Sequence, residues 1–207
     1  MPKSKLIFTP DELPATADYL KQGGVLAYPS ESVWGIGCDA FDEVALSQIV
    51  ALKNRNLGKG LIVLTDTAER LLPLFADVSH ETAQRYLQHI QSQSLHFVQE
   101  HQRAITWLVP VAKDKLPRIL TGDFGTLAVR ITPHPILQKL CQNLVSDANP
   151  YGFLVSTSCN PSGQLPAKNL TQAVKYFGHR LAYLDAVGLG FVQPSCIMDL
   201  VTGQVVR

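Results

Sequence analysis

The chain has 207 residues, enough for one domain with a substantial core and short for two. Its 18 Lys and Arg against 17 Asp and Glu leave a net charge of +1, which excludes a general basic field pulling the protein onto nucleic acid or anionic lipid, so any anion site must be local. Cys38, Cys141, Cys159 and Cys196 form no CxxC pair and no Cys/His cluster of zinc-ligand spacing, and they read as small buried thiols of a reducing compartment.

From the N-terminus, Met1 to Leu6 lacks the apolar run of a signal peptide, and no later run approaches the roughly 20 residues of a membrane span, so a cytoplasmic protein without membrane attachment is expected. Gly24 to Tyr28 reads as a short apolar strand, followed by a Gly-rich loop and a helix over Asp42 to Lys53 with apolar residues at Ala45, Ile49 and Leu52. Gly60 to Leu64 predicts the next strand, Thr67 to Phe75 a short helix capped by Thr67, and Ser79 the cap of another helix. From Gln84 to Gln102 the chain turns rich in Gln, His and Ser, which predicts a frayed helix or mobile surface loop. Strands are expected over Ile105 to Val111, Thr126 to Ile131, Phe153 to Ser156 and Cys196 to Leu200, with helices from Pro135 and over Leu170 to Phe177. The fold class is α/β, a twisted mixed sheet flanked by helices in one domain over 1–207.

Three patches carry candidate chemistry. The first is Tyr28-Pro29-Ser30-Glu31-Ser32-Val33-Trp34-Gly35-Ile36-Gly37 with the cations Lys53, Arg55 and Lys59 downstream. Lys53 and Arg55 would converge on one phosphate if the helix ends at Leu52; the alternative is a solvated helix end with favourable cations. The second is Ser156-Thr157-Ser158-Cys159-Asn160-Pro161-Ser162-Gly163, hydroxyls at a strand end that either bind a carboxylate, ribose or phosphate or cap a turn. The third is Thr126 to Arg130, where Thr126, Ala128 and Arg130 share one strand face, and Arg130 either pairs with a structural carboxylate or grips a substrate's. No GxxxxGK[ST], GxGxxG, GxSxG or HExxH motif is present, and the six histidines show no ligand spacing and read as surface or capping residues.

Tyr28-Pro29-Ser30-Glu31, Lys53-x-Arg55 with Lys59-Gly60, Ala128-Val129-Arg130, Ser156-Thr157-Ser158-x-Asn160-x-Ser162-Gly163 and Pro194-Ser195…Asp199…Arg207 together resemble the YrdC/Sua5 family in its short bacterial form. The motifs run in family order from about residue 15 to the C-terminus, and the extra C-terminal domain of longer relatives is not expected. The resemblance implies an α/β domain with a concave, positively charged cleft. It implies a nucleotidyltransferase that joins L-threonine, bicarbonate and ATP into threonylcarbamoyl-AMP for tRNA N6-threonylcarbamoyladenosine modification.

By the same resemblance, Ser30, Arg130, Ser158 and Ser195 would bind L-threonine. Arg55, Lys59, Thr126, Asn160, Lys168 and Arg207 would bind ATP, and Lys53, Arg55 and Lys59 would form the catalytic set. Mg²⁺ would arrive with ATP, without protein side-chain ligands. The implied product acceptor is the tRNA threonylcarbamoyltransferase complex of TsaB, TsaD and TsaE, with tRNA or double-stranded RNA a further partner. The competing readings are an RNA-binding module and a YciO-like paralogue acting on another carbamoyl adenylate. Three departures stand out: Gln102-Arg103-Ala104 replaces a Pro-Gly-Pro turn, which predicts a looser cleft edge, Ser30 replaces a commoner threonine, and Cys159 an alanine.

Overall fold

The structure is a computed structural model and describes residues 6–75, 77–111 and 115–206. In chain order its elements are β1 (Ile7–Phe8), α1 (Leu13–Lys21), β2 (Leu26–Pro29), β3 (Trp34–Gly37), α2 (Glu43–Lys53), β4 (Ile62–Thr65), α3 (His80–His101), β5 (Ile105–Pro110), α4 (Arg118–Thr121), β6 (Thr126–Ile131), α5 (Pro135–Leu144), β7 (Leu154–Ser158), α6 (Leu170–Phe177), β8 (Ala182–Leu184) and β9 (Cys196–Asp199). The strands form one nine-stranded sheet in the order β1-β8-β2-β3-β7-β4-β6-β5-β9. It is mixed: β1 and β2 run parallel to β8, β4 to β6 and β5 to β9, while β2–β3, β3–β7, β4–β7 and β5–β6 are antiparallel.

Helices pack on both faces of the sheet, and where they do the strands are apolar. On one face Leu26, Tyr28, Leu64 and Leu154 pack against Leu13, Ala17 and Leu20 of α1 and Leu137, Leu140 and Leu144 of α5. On the other, Ala27, Ile36, Val63, Val129 and Val155 meet Ala45, Leu46 and Ile49 of α2 and Ala83, Leu87 and Ile90 of α3. The predicted helix start at Asp42 holds, with its carboxylate accepting from Ala45 N at 2.8 Å. The segment 68–75 is a 3-10 helix, consistent with Pro73 inside it, which removes a donor from the α-helical ladder.

The frayed helix or mobile loop expected over Gln84 to Gln102 is instead one unbroken helix ending at His101, with Gln102 as a left-handed C-cap at φ 46°. Its buried stripe is Ala83, Leu87, Ile90 and Ser94. The apolar period looks broken because Ser94 occupies one of its positions, where its hydroxyl accepts from the indole N–H of fully buried Trp107 at 3.0 Å. Arg103 donates to Pro194 O at 2.6 Å and Ala104 O accepts from Cys196 N at 2.9 Å, so the stretch expected to loosen the cleft edge is tied to β9.

The Gly-rich loop after β2 turns out to be a strand, so the opening is an antiparallel hairpin rather than a βαβ unit. The glycines of β3 are required by close approach. A Cβ on Gly37 would stand 1.8 Å from Val155 O, the carbonyl that also accepts from Tyr28 Oη at 2.7 Å. Gly37→Ala therefore forces β3 and β7 apart, and an overpacking loss of about 2 to 3 kcal/mol is expected in urea unfolding.

Candidate active site

The site is organised around the turn joining β2 and β3. Ser30 donates to Val33 O at 2.6 Å, which leaves its Oγ free only to accept. Glu31 is 2% exposed, and its two carboxylate oxygens are divided: Oε2 accepts from Arg130 at 2.7 Å and Oε1 from Thr132 Oγ1 at 2.8 Å. Burial raises the Glu31 carboxyl, but Arg130 and Thr132 outweigh it and hold it below the ordinary carboxylate value. Arg130 also donates through Nε to Thr106 Oγ1 at 3.2 Å and through Nη2 to Ser195 Oγ at 2.9 Å.

This resolves the two alternatives for Arg130: it has the structural carboxylate, and it still lines the cleft. Of its five guanidinium N–H groups three have partners among the described residues, leaving one on each terminal nitrogen. The cavity it faces has a volume of about 390 Å³ and is lined by Ser30, Arg130, Ser158 and Ser195 together with Arg55 and Val192. All four residues expected to bind threonine thus meet in one place.

Lys53 does not converge with Arg55. The helix continues through Lys53 and stops at Asn54, a left-handed C-cap at φ 46°. Lys53 Nζ turns inward and donates to Ser158 O, to Asn160 O at 2.9 Å and to Asn160 Oδ1 at 3.3 Å. Burial, with Arg55 adding, pushes its amine down to about 8 despite the nearby Cys159. Its place is therefore to hold the 158–160 turn rather than to face a ligand.

Asn160 shares that commitment, its amide also donating to Pro161 O at 3.0 Å and Gln164 O at 2.8 Å. Neither Asn160 nor Lys168 lines either cavity described here. Arg207 lies outside the described residues. Cys159 is fully buried, so the exchange of alanine for cysteine adds nothing to the lining.

A second cavity of about 270 Å³ adjoins the first, sharing Arg55 and Ile62 with it. Lys59 and Thr126 line it with apolar side chains that include Leu108, Phe124, Ala128 and Ile197. Gly60 in its lining stands at φ 60°, where a Cβ would meet Leu120 O at 2.7 Å. Arg55 donates through Nη2 to Gly60 O at 2.9 Å, and its buried Nε has no partner among the described residues. A half-buried guanidinium with an unpaired donor stands where the cavities meet.

Thr106, Thr132 and the role of Glu31 were not legible as site features. Thr106 and Arg130 do share a signal: each interrupts an apolar alternation on strands that pair, with Trp107 opposite Val129. Of the surface or capping roles read for the histidines, His134 takes the N-cap position of α5, without a side-chain capping bond. It is 2% exposed, precedes α5, and its Nε2 meets Val187 O at 2.9 Å. Val187 belongs to a strap over the β2–β3 turn, where Leu189 N donates to Ser30 O at 3.2 Å and Phe191 N to Glu31 O at 2.7 Å. Among the described residues no group of three or more His, Cys, Asp and Glu is placed to hold a metal ion, and no helix is long and apolar enough to cross a membrane.

The Sua5/YciO/YrdC family model, described as telomere recombination, matches residues 18–207. A threonylcarbamoyl-AMP synthase of Moraxella catarrhalis is 60% identical over 207 residues, covering all of both chains. Another, of Acinetobacter baylyi, is 46% identical over 92% of this chain and 94% of its own. Among solved structures, P. abyssi Sua5 complexed with L-threonine superposes with a TM-score of 0.76 at 22% identity, over 98% of this chain and 57% of that one. E. coli YciO superposes with a TM-score of 0.73 at 19% identity, over 98% of this chain and 95% of that one.

The Glu31–Arg130 pair predicts a pH dependence of stability. Because the folded-state Glu31 value lies below the ordinary 4.5, the pair's contribution is complete above that value and is lost as pH falls through the folded-state one. Glu31→Gln, which leaves Arg130 without a counter-charge, is expected to lose about 2 kcal/mol at neutral pH and to flatten the decline of the urea midpoint toward pH about 3. An unchanged slope would remove Glu31 as its source.

Proposed function

The chain belongs to the Sua5/YciO/YrdC family, and we propose on that premise that it is a threonylcarbamoyl-AMP synthase, forming threonylcarbamoyl-AMP and pyrophosphate from L-threonine, bicarbonate and ATP. The observation that carries the reading is the pair of cavities meeting at Arg55, one lined by hydroxyls and Arg130, the other apolar with Lys59 and Thr126 at its wall. The first suits an amino acid: Arg130 and Ser195 donate to a carboxylate, and Ser30 Oγ accepts from an amine or hydroxyl. The second suits a nucleoside, with the base on apolar side chains and the ribose at Thr126.

In the reaction, the threonine nitrogen bonds to the bicarbonate carbon with loss of water. A carbamate oxygen then attacks the α-phosphorus of ATP, and the bond to the bridging oxygen breaks as pyrophosphate leaves. Two anions must approach each other, so the protein's part is positioning and charge neutralisation. Arg55 stands at the junction where carbamate and triphosphate meet, and Lys59 beside the leaving phosphates. Lys53 acts one step away by fixing the Ser158 backbone, and the Asn160 turn is held with it.

No histidine lines either cavity, so the amine proton goes to solvent or bicarbonate. Magnesium enters as part of the ATP substrate, because the carboxylate beside the cleft, Glu31, is already spent on Arg130 and Thr132, and no step here runs through the ion. The product is handed to the complex of TsaB, TsaD and TsaE; Lys168, which lines neither cavity, remains a proposed ATP contact, as does Arg207, which lies outside the described residues.

Pyrophosphate release from Mg-ATP and bicarbonate should require L-threonine and fall with L-serine, L-valine or no amino acid. Release with another amino acid would move the assignment to a paralogue such as the YciO type, and salt-sensitive RNA binding without turnover would replace the synthase by an RNA-binding module. Arg55→Ala and Lys59→Ala should each lose about 2 to 4 kcal/mol of transition-state stabilisation with little change in Tm. Lys53→Met should do the reverse in its first effect, losing about 1 to 3 kcal/mol of stability as the carbonyls of Ser158 and Asn160 lose their donor. Near-normal turnover in both Arg55→Ala and Lys59→Ala would overturn the assignment.

A further inference from the structure

Thr106 is fully buried on β5, one rung from the Trp107–Val129 pair and therefore beside Arg130 of β6. Its hydroxyl has two partners among the described residues: Arg130 Nε at 3.2 Å and Ser195 Oγ at 2.8 Å. An arginine only donates, so Thr106 Oγ1 accepts from Nε and Ser195 Oγ accepts from Nη2 at 2.9 Å. Between the two hydroxyls, one must donate. If Ser195 did, the Thr106 proton would sit in the core without an acceptor, an arrangement that costs about 1 to 3 kcal/mol. Thr106 is therefore the donor.

The consequence falls on Ser195. Its oxygen already accepts from Thr106 and Arg130, so its own proton is directed to the cleft that it lines. Together with the two unused N–H groups of Arg130 this makes one wall of the amino-acid pocket a set of donors, while Ser30 Oγ nearby is left to accept. Resting on the synthase reading, we propose that Thr106 is a positioning residue whose hydroxyl fixes the proton direction at Ser195, so that the pocket selects a carboxylate over an amide at the end of the bound amino acid. An amide would turn N–H groups toward donors, whereas each carboxylate oxygen accepts.

Calorimetric titration of L-threonine and L-threoninamide into the unsubstituted protein, Thr106→Val and Thr106→Ser tests this. Valine is nearly isosteric and removes the donor, after which Ser195 is free to rotate and accept from an amide. Thr106→Val should lower the preference for L-threonine over L-threoninamide about tenfold, and Thr106→Ser, which keeps the hydroxyl, should retain it. Should Thr106→Val fail to fold, Thr106→Cys makes the same comparison, because its thiol is a poor donor. Equal weakening of both ligands, or an unchanged preference, would show that Thr106 only packs and would overturn the proposal alone. Failure of the unsubstituted protein to bind L-threonine would overturn the synthase reading and the proposal with it.

Discussion

The ion pair between Glu31 and Arg130 ties together parts of the chain that are far apart in sequence. Glu31 sits in the turn after β2, Arg130 on β6, Thr106 on β5 and Ser195 before β9, and all four meet through bonds of 2.7 to 3.2 Å. Taking two charges out of water is unfavourable unless every remaining donor and acceptor is met, and Thr132, Thr106 and Ser195 meet most of them. Two N–H groups of Arg130 have no partner among the described residues, and the residue lines the cleft. The pair thus stabilises a conformation in which an arginine that lines the cleft is held still by partners on three other segments of the chain.

The cations of the site have different work because they have different surroundings. Arg130 is matched by Glu31, Lys53 is enclosed by backbone oxygens, and Arg55 keeps an unpaired Nε between two cavities. Sequence spacing allowed Lys53 and Arg55 to form a phosphate grip if the helix ended at Leu52, but α2 runs one residue further and the lysine turns into the protein.

Much of the sheet was legible from apolar strands, and β6 from its alternation of Thr126, Ala128 and Arg130 against Leu127, Val129 and Ile131. The helices over 135–144 and 170–177 follow from Pro135 and from clean apolar stripes. What escaped were elements whose pattern is completed by a distant partner. β3 carries glycines because a tyrosine ring and a carbonyl occupy their side-chain space, and α3 carries Ser94 because Trp107 needs an acceptor. Ser30, Arg130, Ser158 and Ser195 were brought together by the family resemblance, since the residues alone left a turn cap or a structural ion pair as open alternatives; the structure places all four around one cavity. Glu31, Thr106 and Thr132 were not legible, because a single buried polar residue, whether in a turn, inside a strand or just past its end, does not say which distant residue it pairs with.

β7 pairs on one side with β3 and on the other with β4, so the nine strands meet as two half-sheets that share it. The same five residues carry Ser156 and Ser158 into the cleft, give Val155 O to Tyr28, and lead into the turn that Lys53 holds. Side chains alternate along a strand, so inserting or deleting one residue between Leu154 and Ser158 would exchange the cleft set for the core set along part of the strand. Length variation among relatives of this chain should therefore accumulate in the loops and leave this one strand at constant length, since a frameshift there unmakes the fold and the site in the same event.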